Sequence, residues 1–283
     1  MNNIPMVELS NGGMMPPMIM GTYKITDYKT LKKIIRKAVK HGFTGLDTAY
    51  AYENEAIIGN VVAECMRDFS MQRSDFYITD KIDIWQMQET QGKISENVEE
   101  ALRKLNTDYL DLLLIHWPLP EYFVQTWESF VKVFEQGKVK AIGISNVKKR
   151  HLKQIITDTG FSPHVVQNER HPLHTDTKVL EFCKSNDIVY QAYSPVARMI
   201  EPLPGSMELN TIAEKYNKTV GQVIIRWQIQ TGAVPVFMTQ KTKRIEEYAG
   251  VFDFKLEEHE IHSISSLDIN YKMTLESVIC PGF

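Results

Sequence analysis

Gly45-Leu46-Asp47-Thr48-Ala49-Tyr50-Ala51-Tyr52-Glu53-Asn54-Glu55 places a carboxylate and two phenols where an apolar segment gives way to a helix. Upstream, Val39, Phe43 and Leu46 read as a helix running into a short buried strand; downstream, Ala56-Ile57-Ile58-Gly59-Asn60-Val61-Val62 opens another helix. The end of a buried strand needs neither Asp nor Tyr for packing, so this position asks for chemistry. In a (β/α)8 barrel such a junction lies on the face where active sites are assembled.

The same alternation extends in both directions. Short apolar runs at Ile19 to Thr22, Gly42 to Asp47, Phe76 to Asp80, Leu110 to His116, Ala141 to Ser145, Val165 to Gln167, Ile188 to Tyr193 and Val234 to Phe237 read as strands. Amphipathic stretches between them, Tyr28 to Lys40, Glu55 to Phe69, Ile94 to Lys104, Val124 to Gln136, Lys148 to Thr157, Asp176 to Lys184, Leu209 to Tyr216 and Val220 to Gln230, read as helices. Strands too apolar to show alternation imply a parallel sheet buried on both faces. An α/β fold of the TIM-barrel type follows, as one domain over residues 1–283. A doubly wound open sheet is the rival architecture, but the first strand-to-helix turn, Gly21-Thr22-Tyr23-Lys24, carries no GxGxxG, and no P-loop occurs. Met6 to Met15 around Asn11-Gly12 reads as an N-terminal β-hairpin, and Glu257 to Leu267 as an extra C-terminal helix.

With 283 residues, 43% of them hydrophobic, the chain can bury a barrel-sized core. A net charge of -3 leaves no electrostatic footprint for nucleic acid or an anionic membrane, so the expected partner is a small molecule. Cys65, Cys183 and Cys280 are an odd set without CxxC or Cys/His spacing, which points to free thiols in a reducing cytoplasm. The first 20 residues lack a basic segment followed by an apolar run, and no later apolar stretch is long enough to span a bilayer. His41, His151, His164, His174, His259 and His262 show no metal spacing, and no metal is expected. A monomer or a weak homo-oligomer is expected.

In a barrel, polar residues at the strand ends converge. Asp47 ends the second strand with Tyr52 just beyond it, Lys81 ends the third, and His116 ends the fourth in Leu112-Leu113-Leu114-Ile115-His116-Trp117-Pro118. Any one of them alone has a bland reading: Tyr52 as a packing residue, His116 as a core histidine, Asp47 and Lys81 as a structural ion pair. Together they can protonate a carbonyl oxygen. Free tyrosine, with pKa about 10, is a weak acid at neutral pH; Lys81 would ease loss of its proton, Asp47 would hold Lys81 charged and oriented, and His116 would hydrogen-bond the substrate oxygen. Tyr50 is expected to pack.

These four residues resemble the tetrad of the aldo-keto reductase family. Gly45-Leu46-Asp47-Thr48-Ala49-x-x-Tyr52-x-Asn54-Glu55 resembles the family's first signature, Leu113-Leu114-Ile115-His116-Trp117-Pro118 its His motif, and Gly143-Ile144-Ser145-Asn146, Gln167-Asn168-Glu169-Arg170-His171-Pro172 and Ala192-Tyr193-Ser194-Pro195 follow in the family's order. The resemblance implies a (β/α)8 barrel that moves hydride from a nicotinamide to an aldehyde or ketone, with Tyr52 as general acid. It implies that Ser145, Asn146 and Gln167 bind the carboxamide, that Tyr193 stacks on the nicotinamide ring, and that Arg244 and Glu247 lie at the adenosine end. Gly21, Thr22, Tyr23 and Ser194 join the cofactor set, and Tyr23, Trp85 and Trp117 are the expected substrate-pocket walls.

The chain departs from the family at Met238-Thr239-Gln240-Lys241-Thr242-Lys243-Arg244, where a Lys-Ser pair usually meets the 2′-phosphate, and at Val196-Ala197-Arg198-Met199-Ile200 over the pyrophosphate. Lys241, Lys243 and Arg244 can rebuild a phosphate site, since point cations within reach of a dianion suffice, and Arg198 is a candidate phosphate contact. NADP(H) is therefore the expected cofactor and NAD(H) the alternative. Tyr248 stands where the family has an Asn beside adenine, and Asp80 is an unexpected neighbour of Lys81. With Cys280-Pro281-Gly282-Phe283 at the end of the sequence, a short C-terminal loop and a permissive pocket are expected. A nucleotide-binding barrel with a regulatory or redox-sensing role, and a sugar-phosphate isomerase barrel that binds no nicotinamide, are the competing functions.

Overall fold

The computed structural model describes residues 5–274 and 280; of the C-terminal tetrapeptide only Cys280 falls within them. Strands β1 (Val7–Glu8) and β2 (Met14–Met15) form the antiparallel hairpin, with Val7 opposite Met15 and a turn that holds Gly12 at φ +80°. Eight parallel strands follow: β3 (Ile19–Gly21), β4 (Gly45–Asp47), β5 (Tyr77–Ile82), β6 (Leu112–Ile115), β7 (Ile142–Ser145), β8 (Val165–Glu169), β9 (Val189–Tyr193) and β10 (Ala233–Phe237). Strand β10 pairs with both β9 and β3, which closes the sheet into a barrel.

The helices are α1 (Tyr28–Lys40), α2 (Glu55–Phe69), α3 (Ile84–Glu89), α4 (Ser95–Leu105), α5 (Phe123–Glu135), α6 (Lys149–Thr159), α7 (Thr177–Lys184), α8 (Met207–Tyr216), α9 (Val220–Gln230), α10 (Thr242–Ala249) and α11 (Glu258–Ser265). Helix α1 shows why they form. Its apolar Leu31, Ile34, Ile35, Ala38 and Val39 share one buried face, and the Asp27 side chain caps the start by accepting from Thr30 N at 2.8 Å. It ends at Gly42, whose φ of +84° is left-handed. Burying each large apolar side chain on that face contributes about 1.5–3 kcal/mol. Helix α2 approaches α4 so closely that a Cβ on Gly59 would sit 2.5 Å from the Leu105 carbonyl oxygen, so Gly59→Ala would push the pair apart.

Parity along the strands sorts side chains between two cores. Leu112 and Leu114 point into the barrel with Ile19, Tyr77, Val165, Val234 and Val236, while Leu113 and Ile115 pack outward against the helices. Leu9 and Met15 of the hairpin join the inner cluster and plug the end of the barrel where the strands begin. On β5, Lys81 shares the parity of inward Tyr77, and Asp80 that of outward Ile78.

Several sequence expectations shift by a few residues. Gly42 to Thr44 leave the predicted second strand because Gly42 N bonds back to Val39 and ends α1. Leu110 makes only an isolated bridge with Val139, and His116 lies beyond β6. Helices α3 and α10 are not among the helices read from the sequence. Tyr50, expected to pack, is 37% exposed: it begins a 3₁₀ turn, Tyr50–Tyr52, and the Lys104 ammonium lies over its ring. Cys65, Cys183 and Cys280 are buried free thiols. Among the described residues, no helix is long and apolar enough to cross a membrane.

Candidate active site

Asp47 is the last residue of β4 and Lys81 the penultimate residue of β5; both are almost fully buried. The Lys81 ammonium donates to Asp47 Oδ1 at 2.5 Å, to the Thr48 carbonyl at 2.9 Å and to the Tyr52 hydroxyl at 3.4 Å. All three ammonium hydrogens are thereby directed. The second Asp47 oxygen accepts from Gln167 Nε2 at 2.8 Å, and the same amide nitrogen donates to Gln191 at 2.8 Å. Two unlike charges taken out of water are costly unless their polar atoms are met, and here each meets the other while Thr48, Tyr52 and Gln167 supply the remaining partners.

The 3₁₀ turn places Tyr52 half-buried at the mouth, its ring edge-on to Tyr23 at 5.1 Å and to His116 at 5.8 Å. Asn54, the cap residue between that turn and α2, fixes the course of the chain: its side chain accepts from the Thr48 hydroxyl at 2.6 Å and donates to the carbonyls of Thr22 and Ile25, each at 3.0 Å. Burial, with the Asp47 carboxylate and the Tyr193 and Tyr23 hydroxyls, holds the Tyr52 phenol well above its usual range. Lys81 was expected to ease loss of that proton. In the resting site Asp47 offsets the cation, and the phenol stays protonated.

His116 follows β6. Its carbonyl accepts from Asn146 Nδ2 at 2.9 Å and its Nδ1 lies 3.2 Å from Asp83 Oδ2. Burial, together with the Lys81 charge, lowers its pKa in spite of Asp83, so the ring is neutral at neutral pH. Asp80 faces away from Lys81, toward Glu55 on α2; burial and that second carboxylate push the Asp80 carboxyl well above the usual range. Lys104 pairs with Glu55 at 3.1 Å.

On the far side of the mouth, Ser145 donates to the Gln167 carbonyl at 2.8 Å, Asn146 to Ser145 Oγ at 3.2 Å, and the half-buried Tyr193 to Asn146 Oδ1 at 2.7 Å. Asn146 and Ser194 both take left-handed φ, 59° and 50°, which turns the chain sharply at these strand ends. A Cβ on Gly143 would lie 2.2 Å from the Val165 carbonyl oxygen, so only glycine lets β7 and β8 come together here. Gly21 and Thr22 are buried, and the Thr22 hydroxyl donates to the Asp47 carbonyl at 2.9 Å. Of the expected pocket walls, Tyr23 is 42% exposed beside Tyr52, Trp85 is 66% exposed on α3, and Trp117 is buried against the outer core.

Arg198 is exposed within a run, Ala197 to Met199, in which all three residues have positive φ. Lys241 and Lys243 are exposed and Arg244 half-buried at the start of α10. The side chains of Lys241 and Arg244 form no ion pair or hydrogen bond among the described residues. Glu247 accepts from the Thr219 hydroxyl at 2.5 Å, and Tyr248 is buried against Phe237. Asp83 and Gln191 belong to the site without having been foreseen. Gln191 could have been found from strand parity, Asp83 only from the fold.

Residues 17–269 match the Aldo/keto reductase family. The chain belongs to that family. Among the relatives of this aldo/keto reductase, it is 35% identical to glyoxal reductase of Bacillus subtilis over 262 residues, covering 93% of this chain and 92% of that one. It is 33% identical to methylglyoxal reductase DkgA of Salmonella typhimurium over 270 residues, 95% of each chain. The structure of an aldo-keto reductase of the silkworm Bombyx mori complexed with NADPH superposes with a TM-score of 0.91 at 27% identity, covering 99% of this chain and 93% of that one.

Proposed function

We propose that this aldo/keto reductase is a cytoplasmic NADP(H)-dependent enzyme that reduces small aldehydes or ketones, with Tyr52 as the general acid. One observation carries the reading: the Tyr52 hydroxyl lies 3.4 Å from an ammonium that Asp47 locks in place, at the open end of a closed barrel. When bound, the nicotinamide supplies hydride to the carbonyl carbon. Tyr52 then gives its proton to the oxygen, an alkoxide being a far stronger base than a tyrosinate even with the phenol's pKa raised. Lys81 balances the phenolate left behind.

The residues present fit a nicotinamide. Ser145, Asn146 and Gln167 form one connected set with the flat ring of Tyr193, and the Gln167 amide joins that set to Asp47; an aromatic face beside fixed amides suits a planar carboxamide ring. Arg244 and Lys241, unpaired among the described residues, support a 2′-phosphate and hence NADPH over NADH. The glyoxal and methylglyoxal reductases among the relatives support small 2-oxoaldehydes as the substrate class. A sensing role would not call for an acid held against a buried ion pair.

Tyr52→Phe tests the reading. NADPH should bind within about twofold of wild type, and aldehyde reduction should slow by at least 10² to 10⁴, the range of general-acid catalysis. Reduction of methylglyoxal at the wild-type rate by this variant would remove Tyr52 from the mechanism.

A further inference from the structure

Asp83 lies two residues beyond Lys81, between β5 and α3, and is nearly buried. The residue is held at both its side chain and its backbone. Oδ1 accepts from Trp85 N at 3.4 Å as the cap of α3, and the Asp83 amide N–H donates to Gln86 Oε1 at 3.0 Å. This leaves Oδ2 aimed at His116 Nδ1, 3.2 Å away. An ionised carboxylate only accepts hydrogen bonds, so the imidazole nitrogen facing it carries the hydrogen. The other nitrogen, Nε2, has no partner among the described residues and is not buried away from solvent. Among the described residues, Lys81 from β5, Asp47 from β4 and Tyr52 from the 3₁₀ turn are the other charged or titratable groups around the ring.

We propose that Asp83 is a positioning residue that keeps the hydrogen of His116 on Nδ1, so that Nε2 accepts hydrogen bonds while the ring is neutral and donates only when it is protonated. No ordinary neutral-donor role for His116 toward a carbonyl then exists. The neutral ring suits an alcohol, whose hydroxyl can donate to Nε2; the imidazolium suits a carbonyl, whose oxygen can only accept. Resting on the carbonyl-reductase reading, the kinetic consequence is that reduction gains as pH falls through the His116 titration, while alcohol oxidation loses over the same range. In both directions the proton itself still moves through Tyr52.

The test reads the tautomer directly. Long-range ¹H–¹⁵N spectra of ¹⁵N-labelled protein at pH 7.5, with the His116 signals assigned by their loss in His116→Gln, should show hydrogen on Nδ1. Asp83→Asn keeps a good helix cap but removes the charge. It should release the tautomer toward Nε2 and move the acid limb of the kcat/KM profile for reduction to lower pH by about one unit or more. Hydrogen on Nε2 in the wild-type protein, or an unchanged tautomer and pH profile in Asp83→Asn, would overturn the proposal. The spectrum needs no turnover, so it separates this outcome from failure of the reductase reading, which rests on Tyr52→Phe.

Discussion

At one side of the barrel mouth, Lys81 has a partner for each hydrogen, Asp47 for each oxygen, and Gln167 and Gln191 complete the set inside the barrel. At the other side, Arg244 and Lys241 stand without partners among the described residues, and Arg198 sits exposed in a left-handed turn. The first region is organised by the protein alone, and the second holds charge that its own chain does not neutralise. A proton-transfer site has to be right before the substrate arrives, because reorganising charged groups during reaction raises the barrier. A phosphate site can be completed by its ligand. Under the proposed function, a preformed proton-transfer site stands beside a phosphate grip that its ligand completes.

The largest effect that would break this contrast is expected at Lys81. Lys81→Met leaves Asp47 buried without its cation, so unfolding in denaturant should show a loss of about 3–5 kcal/mol, and reduction should slow by about 10² to 10⁴. A variant of wild-type stability would mean that the ion pair is not what orders this side. Arg244→Ala acts on the opposite region: KM for NADPH should rise about 10- to 100-fold, the value of a charge-assisted hydrogen bond, with KM for NADH and the melting temperature nearly unchanged. Equal losses for both nucleotides would show that Arg244 does not read the phosphate.

The smallest effect tests the buried acid behind the ordered side. Since the folded-state pKa of Asp80 is raised, the protonated carboxyl stabilises the fold fully below the unfolded pKa, and that stability is lost as pH rises through the folded value. Asp80→Asn mimics the protonated form. It should be more stable than wild type at pH 8 and equal to it near pH 3; thermal unfolding at the two pH values measures the difference, and a pH-independent change would contradict the raised pKa.

Much of this was legible beforehand. Asp47, Tyr52, Lys81 and His116 were marked because polar residues interrupt apolar runs at places where packing does not need them, and the bounds of α1, α2 and α9 followed from their 3.6-residue periodicity. Helix α3 is six residues long, too short for periodicity to declare itself. Asp83 looks in sequence like any helix cap; that it also faces His116 depends on β5 and β6 being neighbours. Asp80 read as an intruder beside Lys81, yet strand parity sends the two to opposite faces of the sheet, one into the barrel mouth and one into the helix layer.

The sequence by itself therefore determined the barrel, the polar residues at its strand ends and the family resemblance, because periodicity and polar interruptions are local properties of the chain. Only the tertiary structure decided which oxygen faces which nitrogen: that Asp47 is shared by Lys81 and Gln167, that Asp83 faces His116 Nδ1, and that burial holds Tyr52 in its protonated form. These are properties of contacts between distant residues and of the water they exclude, and both come into existence only when the sheet closes.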